Sequence, residues 1–181
     1  PLPRLVAIST TAGTGSEVTR WATVWDPQEK RKLSIDTPEG YPAAAVIIPE
    51  WTVGMPPSIT LSTGLDALSH AMEAFWAVSR NPLSQELAIA AVTKIRDALP
   101  AALADLGDRN ARQEMALGSL MAGIAFSQTR TTACHSISYP LTMLHGIPHG
   151  FATAITLSSV MRRNAAAVAE INRLEEVFCD A

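Results

Sequence analysis

Hydrophobic and polar positions along the chain follow two different periods. In the first fifty residues, short apolar or alternating runs are separated by turn residues, a pattern that predicts β-strands. The predicted strands are Leu5–Ile8, Trp21–Trp25, Lys32–Ile35 and Ala43–Ile48, of which the first and last are expected to be fully buried. Small residues at Thr10–Gly15 predict a loop after the first strand, and Asp26-Pro27 predicts a turn.

Beyond Ser58 the apolar residues recur at helical spacing. Helices are predicted at Leu65–Val78, Pro82–Leu99, Asn110–Phe126, Thr132–Met143, Gly150–Arg162 and Ala165–Phe178. The preceding stretch Gly54–Ser58 holds two prolines and a glycine and is expected to interrupt regular structure. We therefore expect a β-rich N-terminal portion, residues 1–57, followed by an all-helical domain, residues 58–181. The chain begins without Met and stops just after a helical pattern, so we expect a piece of a longer protein.

Composition narrows the class of protein. The 181 residues are 48% apolar and carry a net charge of −3, which is typical of a globular domain. No basic stripe interleaved with aromatic residues is present, so a nucleic-acid partner is not expected. No apolar run approaches about 20 residues, so no membrane association is expected. Two cysteines make no disulfide framework and favour a cytoplasmic location.

The four histidines and one aspartate form the strongest candidate for chemistry. Asp66 and His70 are one helical turn apart and share a face of the predicted helix. His135, His145 and His149 follow within fifteen residues of one another. A carboxylate with two or three imidazoles suits a divalent metal such as Fe²⁺ or Zn²⁺. The alternative is an aspartate favoured by the helix dipole beside a surface histidine.

The loop Thr10–Thr19 is a second candidate site. Small residues after a strand let backbone amides approach a phosphate, and the hydroxyls of Thr10, Thr11 and Thr14 add donors. The loop matches neither the Walker motif nor the GxGxxG pattern, so an ordinary glycine–threonine turn stays open as the alternative.

At these residues the chain resembles the iron-dependent (group III) alcohol dehydrogenases, which share the dehydroquinate synthase-like fold. The resemblance covers nearly the whole chain. It rests on TTAGTGSEVT at 10–19, KRK at 30–32, GMPP at 54–57, GLDALSHAMEAF at 64–75, MAGIAFSQ at 121–128 and GIPHGFATAI at 146–155. In that family a dinucleotide-binding α/β domain packs on a helical domain, with metal and substrate between them. The resemblance implies a homodimer in the full-length protein.

The resemblance also implies roles for single residues. The metal ligands would be Asp66, His70, His135 and His149, and the cofactor NAD or NADP would meet Thr10, Thr11, Thr14, Thr19 and Lys32. Two positions depart from the family pattern: Tyr139 stands where many members carry a histidine, and His145 stands where they do not. Either Tyr139 or His145 is a candidate proton relay. The glycine-rich phosphate loop that lies upstream in the family is absent, which is expected to weaken dinucleotide binding.

The segment Gln128–Thr132 suggests a substrate class. Arg130 followed by Thr131 suits an anionic tail, because guanidinium pairs with carboxylate or phosphonate, and the segment is similar to the phosphonoacetaldehyde reductase-like variant of the family. The alternative is a surface arginine at a helix start. We expect a metal-dependent NAD(P)-linked alcohol dehydrogenase or aldehyde reductase acting on a small, anionic aldehyde or alcohol. A metal-dependent hydrolase with the same Asp/His site and a non-catalytic, metal-stabilised domain are the remaining alternatives.

Overall fold

The computed structural model describes residues 4–179 and places short strands before a set of packed helices. The strands are β1 (Val6–Ser9), β2 (Trp21–Asp26), β3 (Arg31–Asp36) and β4 (Ala44–Ile47). The helices are α1 (Pro57–Trp76), α2 (Pro82–Ala104), α3 (Arg109–Thr129), α4 (Ala133–His145), α5 (His149–Ala154), α6 (Leu157–Asn164) and α7 (Asn172–Cys179). This arrangement is the predicted α/β portion followed by helices.

The four strands form two separate pairs. β1 and β4 run parallel, with Val6 opposite Ala44 and Ser9 opposite Ile47. β2 and β3 form an antiparallel hairpin in which Trp21 lies opposite Asp36 and Trp25 lies opposite Lys32. We refer to β2 and β3 with their connecting turn as the hairpin.

The predicted burial of the first and last strands was wrong. Val6 and Ile8 of β1 are 55% and 45% exposed, and Val46 of β4 is 38% exposed. Among the described residues, β1 and β4 hydrogen-bond only to each other and no helix covers both of their faces. Their apolar composition is typical of strands inside a larger parallel sheet.

Helix α1 begins earlier than predicted, at Pro57, inside the expected break. Proline is tolerated at the first helical position because its missing N–H has no intrahelical partner there. The following residues Ser58–Gly64 have weak helix propensity, so packing of α1 against α2 and α3 decides their conformation. Gly64 lies against Leu99 and Met115, in positions that leave no room for a Cβ atom.

Capping residues define the next helices. Asn81 and Ser84 form a reciprocal capping box at the start of α2, and the Asp108 carboxylate accepts from two backbone amides at the start of α3. The last two predicted helices are broken in the structure: α5 and α6 are separated at Ile155-Thr156, and residues 165–171 are a turn and a short 3-10 helix before α7.

The apolar core lies between α1, α2 and α3. Its larger cluster includes Phe75, Val92 and Phe126, and its smaller cluster includes Ile95 and Met115. Many core positions are alanine, which lets the three helices approach closely. Within residues 4–179, none of the helices combines the length and apolarity that crossing a membrane demands.

Candidate metal centre

Three imidazoles surround one buried carboxylate oxygen. The Nε2 atoms of His70, His135 and His149 lie 3.8, 3.4 and 3.7 Å from Oδ1 of Asp66. Asp66, His70 and His135 are buried, and the ligand atoms of these three residues all lie within 4.8 Å of one another. His149 reaches the same Asp66 oxygen but lies outside this group of three, so the structure brings Asp66, His70 and His135 together and places His149 beside them. Their binding of a metal stays a prediction.

Three helices supply these side chains. Asp66 and His70 are one turn apart on α1, His135 is in the first turn of α4, and His149 is the first residue of α5. Gly150 lets the start of α5 lie directly on α1, because a Cβ atom there would overlap the carbonyl oxygen of Ser62. A side chain at residue 150 would thus push His149 away from the other ligands.

The second nitrogen of each histidine has its own partner. Nδ1 of His70 lies 3.2 Å from the carbonyl oxygen of Gly13, and Nδ1 of His135 contacts a carboxylate oxygen of Glu73. Nδ1 of His149 lies 3.4 Å from Oγ of Ser138. The Ser138 hydroxyl already donates to the His135 carbonyl at 2.7 Å, so its oxygen accepts from His149. In its neutral form each of the three rings therefore carries its proton on Nδ1 and presents the Nε2 lone pair to Asp66.

Burial and charge set the protonation states of the cluster. Burial opposes ionisation of Asp66, but the neighbouring histidines outweigh it and lower the pKa of Asp66 to about 2. Burial lowers the pKa of His70 to about 4 and also lowers the pKa of His149. Burial alone would lower the pKa of His135, but the neighbouring carboxylates of Asp66 and Glu73 raise that pKa to about 9. An ionised carboxylate and neutral imidazoles are the forms that bind metals, so His135 is the ligand that must release a proton on binding.

Two buried atoms of the cluster show that a cation fits. Oδ1 of Asp66 and Nε2 of His135 are buried and have no hydrogen-bond partner among the described residues. Buried polar atoms without partners are rare because desolvation costs about 1–3 kcal/mol for each. Ligand atoms placed about 2.1 Å from a tetrahedral ion lie about 3.4 Å apart. The observed separations of 3.4–3.8 Å from Asp66 are close to that value.

Aromatic rings cover the cluster, and the sequence did not point to them. Phe126 stacks on His70 with ring centroids 4.1 Å apart, and Trp21 stacks on Phe126 at 5.5 Å. Trp25 meets the edge of His149 at 6.0 Å. Trp21 and Trp25 are four residues apart on one face of β2, so the hairpin crosses over the ligands. His149 has the most exposed side chain of the four, 32%, and marks the open side of the site.

The predicted cofactor residues lie in two places beside the cluster. Thr10 and Thr14 are exposed, Thr11 is half-buried and Thr19 is buried. Lys32 is on β3, and its Nζ lies 3.8 Å from the centre of the Tyr139 ring. The loop also packs tightly on the helices: a Cβ atom at Gly13 would lie 2.7 Å from Cβ of Thr63 on α1. Contact of any of these residues with a dinucleotide stays a prediction.

The two candidate proton relays differ in position. The ring of Tyr139 stacks on His149 at 6.3 Å and meets Trp25 at 6.2 Å, so it borders the open side of the site. His145 is exposed at the last residue of α4. Ten residues of helix separate it from His135, a rise of about 15 Å. The structure therefore brings Tyr139 to the ligands and leaves His145 apart from them.

Arg130 has a partner that the sequence did not reveal. It follows the last residue of α3 with a φ of 70°, and its Nη2 lies 2.6 Å from Oδ2 of Asp36 at the end of the hairpin. Its side chain is 63% exposed. This geometry favours a role in holding the hairpin against α3. The neighbouring Thr131 is half-buried, and the predicted substrate role of both residues stays a prediction.

Glu73 is a functional residue that the predicted ligand set leaves out. It shares the polar stripe of α1 with Asp66 and His70. It is completely buried and accepts hydrogen bonds from the start of α4. The sequence offered one signal for this role: Glu73 follows His70 by three residues and therefore lies on the same side of α1, beside the apolar stripe.

Comparison with known proteins relates this geometry to one family. The family described as "Fe-containing alcohol dehydrogenase family, C-terminal" matches residues 60–179, and "Iron-containing alcohol dehydrogenase" matches residues 1–49. A phosphonoacetaldehyde reductase of Streptomyces viridochromogenes is 41% identical over 92% of this chain and 42% of its own length. A 1,3-propanediol dehydrogenase of Klebsiella pneumoniae is 38% identical over 91% of this chain and 42% of its own. The chain thus spans less than half the length of these curated relatives.

Solved structures share the fold. A sulfoacetaldehyde reductase from Bifidobacterium kashiwanohense in complex with NAD⁺ superposes with a TM-score of 0.87 at 35% identity, covering 98% of this chain and 50% of the other. An alcohol dehydrogenase from Oenococcus oeni superposes with a TM-score of 0.92 at 30% identity, covering 98% of this chain and 46% of the other.

Proposed function

Because the chain belongs to the iron-containing alcohol dehydrogenase family, we propose that the whole protein is a metal-dependent, NAD(P)-linked alcohol dehydrogenase or aldehyde reductase. One observation carries the metal dependence: three imidazoles direct Nε2 at one oxygen of Asp66 while each Nδ1 is held by a separate partner. The relatives named above are called reductases or dehydrogenases, which favours an oxidoreductase over the hydrolase alternative.

The ligand set defines what the site holds. Asp66, His70, His135 and His149 would bind one divalent cation, Fe²⁺ or alternatively Zn²⁺, since mixed carboxylate and imidazole ligands suit both. When bound, the cation supplies a Lewis acid that polarises a carbonyl, and the nicotinamide supplies or accepts hydride. The protein's own contribution is to keep Asp66 ionised, to orient the three rings and to exclude water.

The side chains around the ligands support these roles of the protein, the cation and the nicotinamide. Phe126 and Trp21 cover the buried side of the cluster, which lowers the local dielectric and strengthens every charge interaction there. The open side lies at His149, beside the Tyr139 ring. We infer that substrate approaches there and that the Tyr139 hydroxyl passes a proton between the substrate oxygen and solvent. The distance of His145 from this side makes it the weaker candidate.

The cofactor and domain assignments follow from the same family. We propose that Thr10, Thr11, Thr14, Thr19 and Lys32 contact NAD or NADP, and that residues 1–57 belong to the dinucleotide-binding domain while residues 58–181 belong to the helical domain. The solved structure of a relative with NAD⁺ supports NAD. A homodimer and a cytoplasmic location stay predictions.

The substrate proposal is a small aldehyde or alcohol, with aldehydes that carry a phosphonate, sulfonate or carboxylate tail to be tested first. Two relatives are named for reduction of phosphonoacetaldehyde and sulfoacetaldehyde, which supports an anionic tail. The exposed Arg130 is paired with Asp36, so its guanidinium alone is not a free anion site.

The test is a nicotinamide assay on the whole protein. Absorbance of NADH or NADPH at about 340 nm is followed with an anionic aldehyde and with a neutral aldehyde of similar size, before and after metal removal. We expect aldehyde-dependent oxidation that is lost with the metal and returns with Fe²⁺ or Zn²⁺. Turnover that needs no metal, or metal-dependent hydrolysis without nicotinamide, would contradict the proposal.

A further inference from the structure

Glu73 connects α1 to the start of α4 through four hydrogen bonds. It lies one turn beyond His70 on α1 and is completely buried. Its Oε1 accepts from the backbone amides of Thr132 at 3.0 Å and Cys134 at 2.8 Å, and also from the Thr132 hydroxyl. Its Oε2 contacts Nδ1 of His135. One carboxylate thus reaches both the backbone and a metal-ligand side chain of α4.

The first function of this carboxylate is to cap α4. The first amides of a helix have no intrahelical acceptor, and a side chain at the N-cap usually supplies one. Thr132 occupies the N-cap but its side chain makes no capping bond. Its hydroxyl accepts from the Trp76 indole at 3.1 Å and donates to Glu73. Glu73 therefore caps α4 from another helix, where its negative charge also suits the helix dipole.

The second function is to select the tautomer of His135. A carboxylate only accepts hydrogen bonds, so the proton of a neutral His135 must sit on Nδ1, facing Glu73. The lone pair is then on Nε2, which is the atom that faces Asp66 at 3.4 Å. The opposite tautomer would direct an N–H group at the metal position and remove a ligand.

The negative charge of Glu73 is expected to contribute to metal binding as well as its hydrogen-bond geometry. His135 lies between two ionised carboxylates, those of Asp66 and Glu73. The two backbone amides, the Thr132 hydroxyl and Nδ1 of His135 all donate to Glu73, a set of donors that suits an ionised carboxylate. Two negative charges and a divalent cation sum to zero inside the protein, so the pair of carboxylates offsets the cost of burying the ion.

We propose that Glu73 is a positioning residue whose negative carboxylate holds His135 in the metal-binding tautomer while it anchors the start of α4. This inference rests on the metal site of the proposed function. It predicts that metal affinity depends on the acceptor character of Glu73, beyond its contribution to folding.

The decisive variant is Glu73→Gln in the whole protein. Glutamine has the same shape, and its oxygen keeps the capping bonds to Thr132 and Cys134. Its NH₂ group then faces Nδ1 of His135 and donates to it, which forces the proton onto Nε2. We expect the affinity for Zn²⁺, measured by chelator competition, to fall about 10- to 100-fold, with little change in the unfolding midpoint of the metal-free protein.

Two further measurements separate positioning from general destabilisation. Asn81→Ala removes the capping box of α2, away from the ligands, and should lower the unfolding midpoint while Zn²⁺ affinity stays within about twofold, because one cap contributes about 1 kcal/mol to folding alone. Nitrogen NMR of the metal-free protein at a pH above the His135 titration, with the His135 signal identified through His135→Ala, should show the Nδ1–H tautomer in wild type and the Nε2–H tautomer in Glu73→Gln.

The outcomes are distinct. Wild-type Zn²⁺ affinity in Glu73→Gln, an unchanged His135 tautomer, or an equal loss of affinity in Asn81→Ala would each overturn the positioning role. A wild-type protein that binds Zn²⁺ and Fe²⁺ weakly while keeping the tautomer difference would instead count against the proposed function.

Discussion

At the residue scale, each ligand is held by a contact outside the ligand set. The Nδ1 atoms of His70, His135 and His149 each contact a different partner. These partners lie in the loop after β1, in α1 and in α4. A ring held on one side loses less freedom when the other side binds, so the site is organised before the ion arrives. Replacing any of these three histidines is therefore expected to weaken metal binding far more than replacing a surface histidine.

His70→Ala and His149→Ala should each remove most of the bound metal and nearly all turnover. Losing one of four ligands weakens the site, and the substrate oxygen is left without its Lewis acid. Metal content per chain and turnover are measured together on the whole protein. His145→Ala, the same substitution at the exposed end of α4, is the control and should keep its metal content. Full activity in a metal-depleted variant would exclude this mechanism.

At the element scale, the glycine loop and the hairpin connect the strand region to the helices. The Gly13 carbonyl accepts from His70 while its Cα lies against α1. If the loop contacted only the cofactor, a bulky residue at Gly13 would disturb cofactor binding far more than metal binding. The structure changes that expectation, because the same residue contacts a predicted ligand.

Gly13→Ala should weaken both nicotinamide binding and metal retention. The added methyl group meets the backbone of Thr63, so the loop shifts and its carbonyl moves from His70. Dissociation constants for NADH and for Zn²⁺ are compared with those of Gly107→Ala, where a methyl group meets only the Asp105 side chain at 3.3 Å. If Gly13→Ala changed only the NADH constant, the contact with His70 would have no role in metal binding.

Arg130→Ala should have a small effect. Its ion pair with Asp36 links the end of α3 to the hairpin that carries Trp25 and Lys32, but the exposed setting limits this pair to about 1 kcal/mol. Asp36 also keeps a second partner, because Nε of Arg20 lies 2.7 Å from its Oδ1. We expect kcat/KM to fall by about fivefold or less, equally for anionic and neutral aldehydes. Arg109→Ala, at an exposed arginine at the start of α3, is the control. A loss of at least tenfold on the anionic aldehyde alone would establish Arg130 as the substrate contact that the sequence suggested.

At the scale of the whole molecule, the ligand set joins α1 to two helices, α4 and α5, that are distant from it in the chain. Asp66 and His70 are some eighty residues from His149, and the intervening α2 and α3 form the core on which α1 packs. A bound ion would therefore cross-link the long α1 to the short α4 and α5.

Metal removal should lower the stability of the whole protein. A ligand present at about 100 times its dissociation constant stabilises the folded state by about 2.7 kcal/mol. Thermal unfolding is measured with metal, after chelation, and after Zn²⁺ is restored, and the midpoint should fall and then recover. Asp66→Asn should show no such recovery. Identical midpoints with and without metal in wild type would mean that no structural cross-link forms.

Local patterns allowed most helices and the Asp66–His70 pair to be predicted from sequence. Apolar spacing identified α1 to α4, because an amphipathic helix repeats within a few residues. The Asp66–His70 spacing follows from one helical turn. His135 and His149 were assigned by family resemblance, since nothing local distinguishes them from His145. The broken helix at Ile155-Thr156 and the early start of α1 at Pro57 escaped prediction, because tertiary packing overrides propensity at such ends.

The sequence alone determined which parts are present: a strand region, a helical region, four candidate ligands and a small-residue loop. Only the tertiary structure decided that β1 and β4 expose their apolar faces, that Arg130 pairs with Asp36, and that Glu73 is buried against α4. The physical reason is the range of the interactions. Periodicity and turn chemistry act between neighbours in the chain, whereas the partner of a buried carboxylate, here some sixty residues away, depends on how whole helices pack.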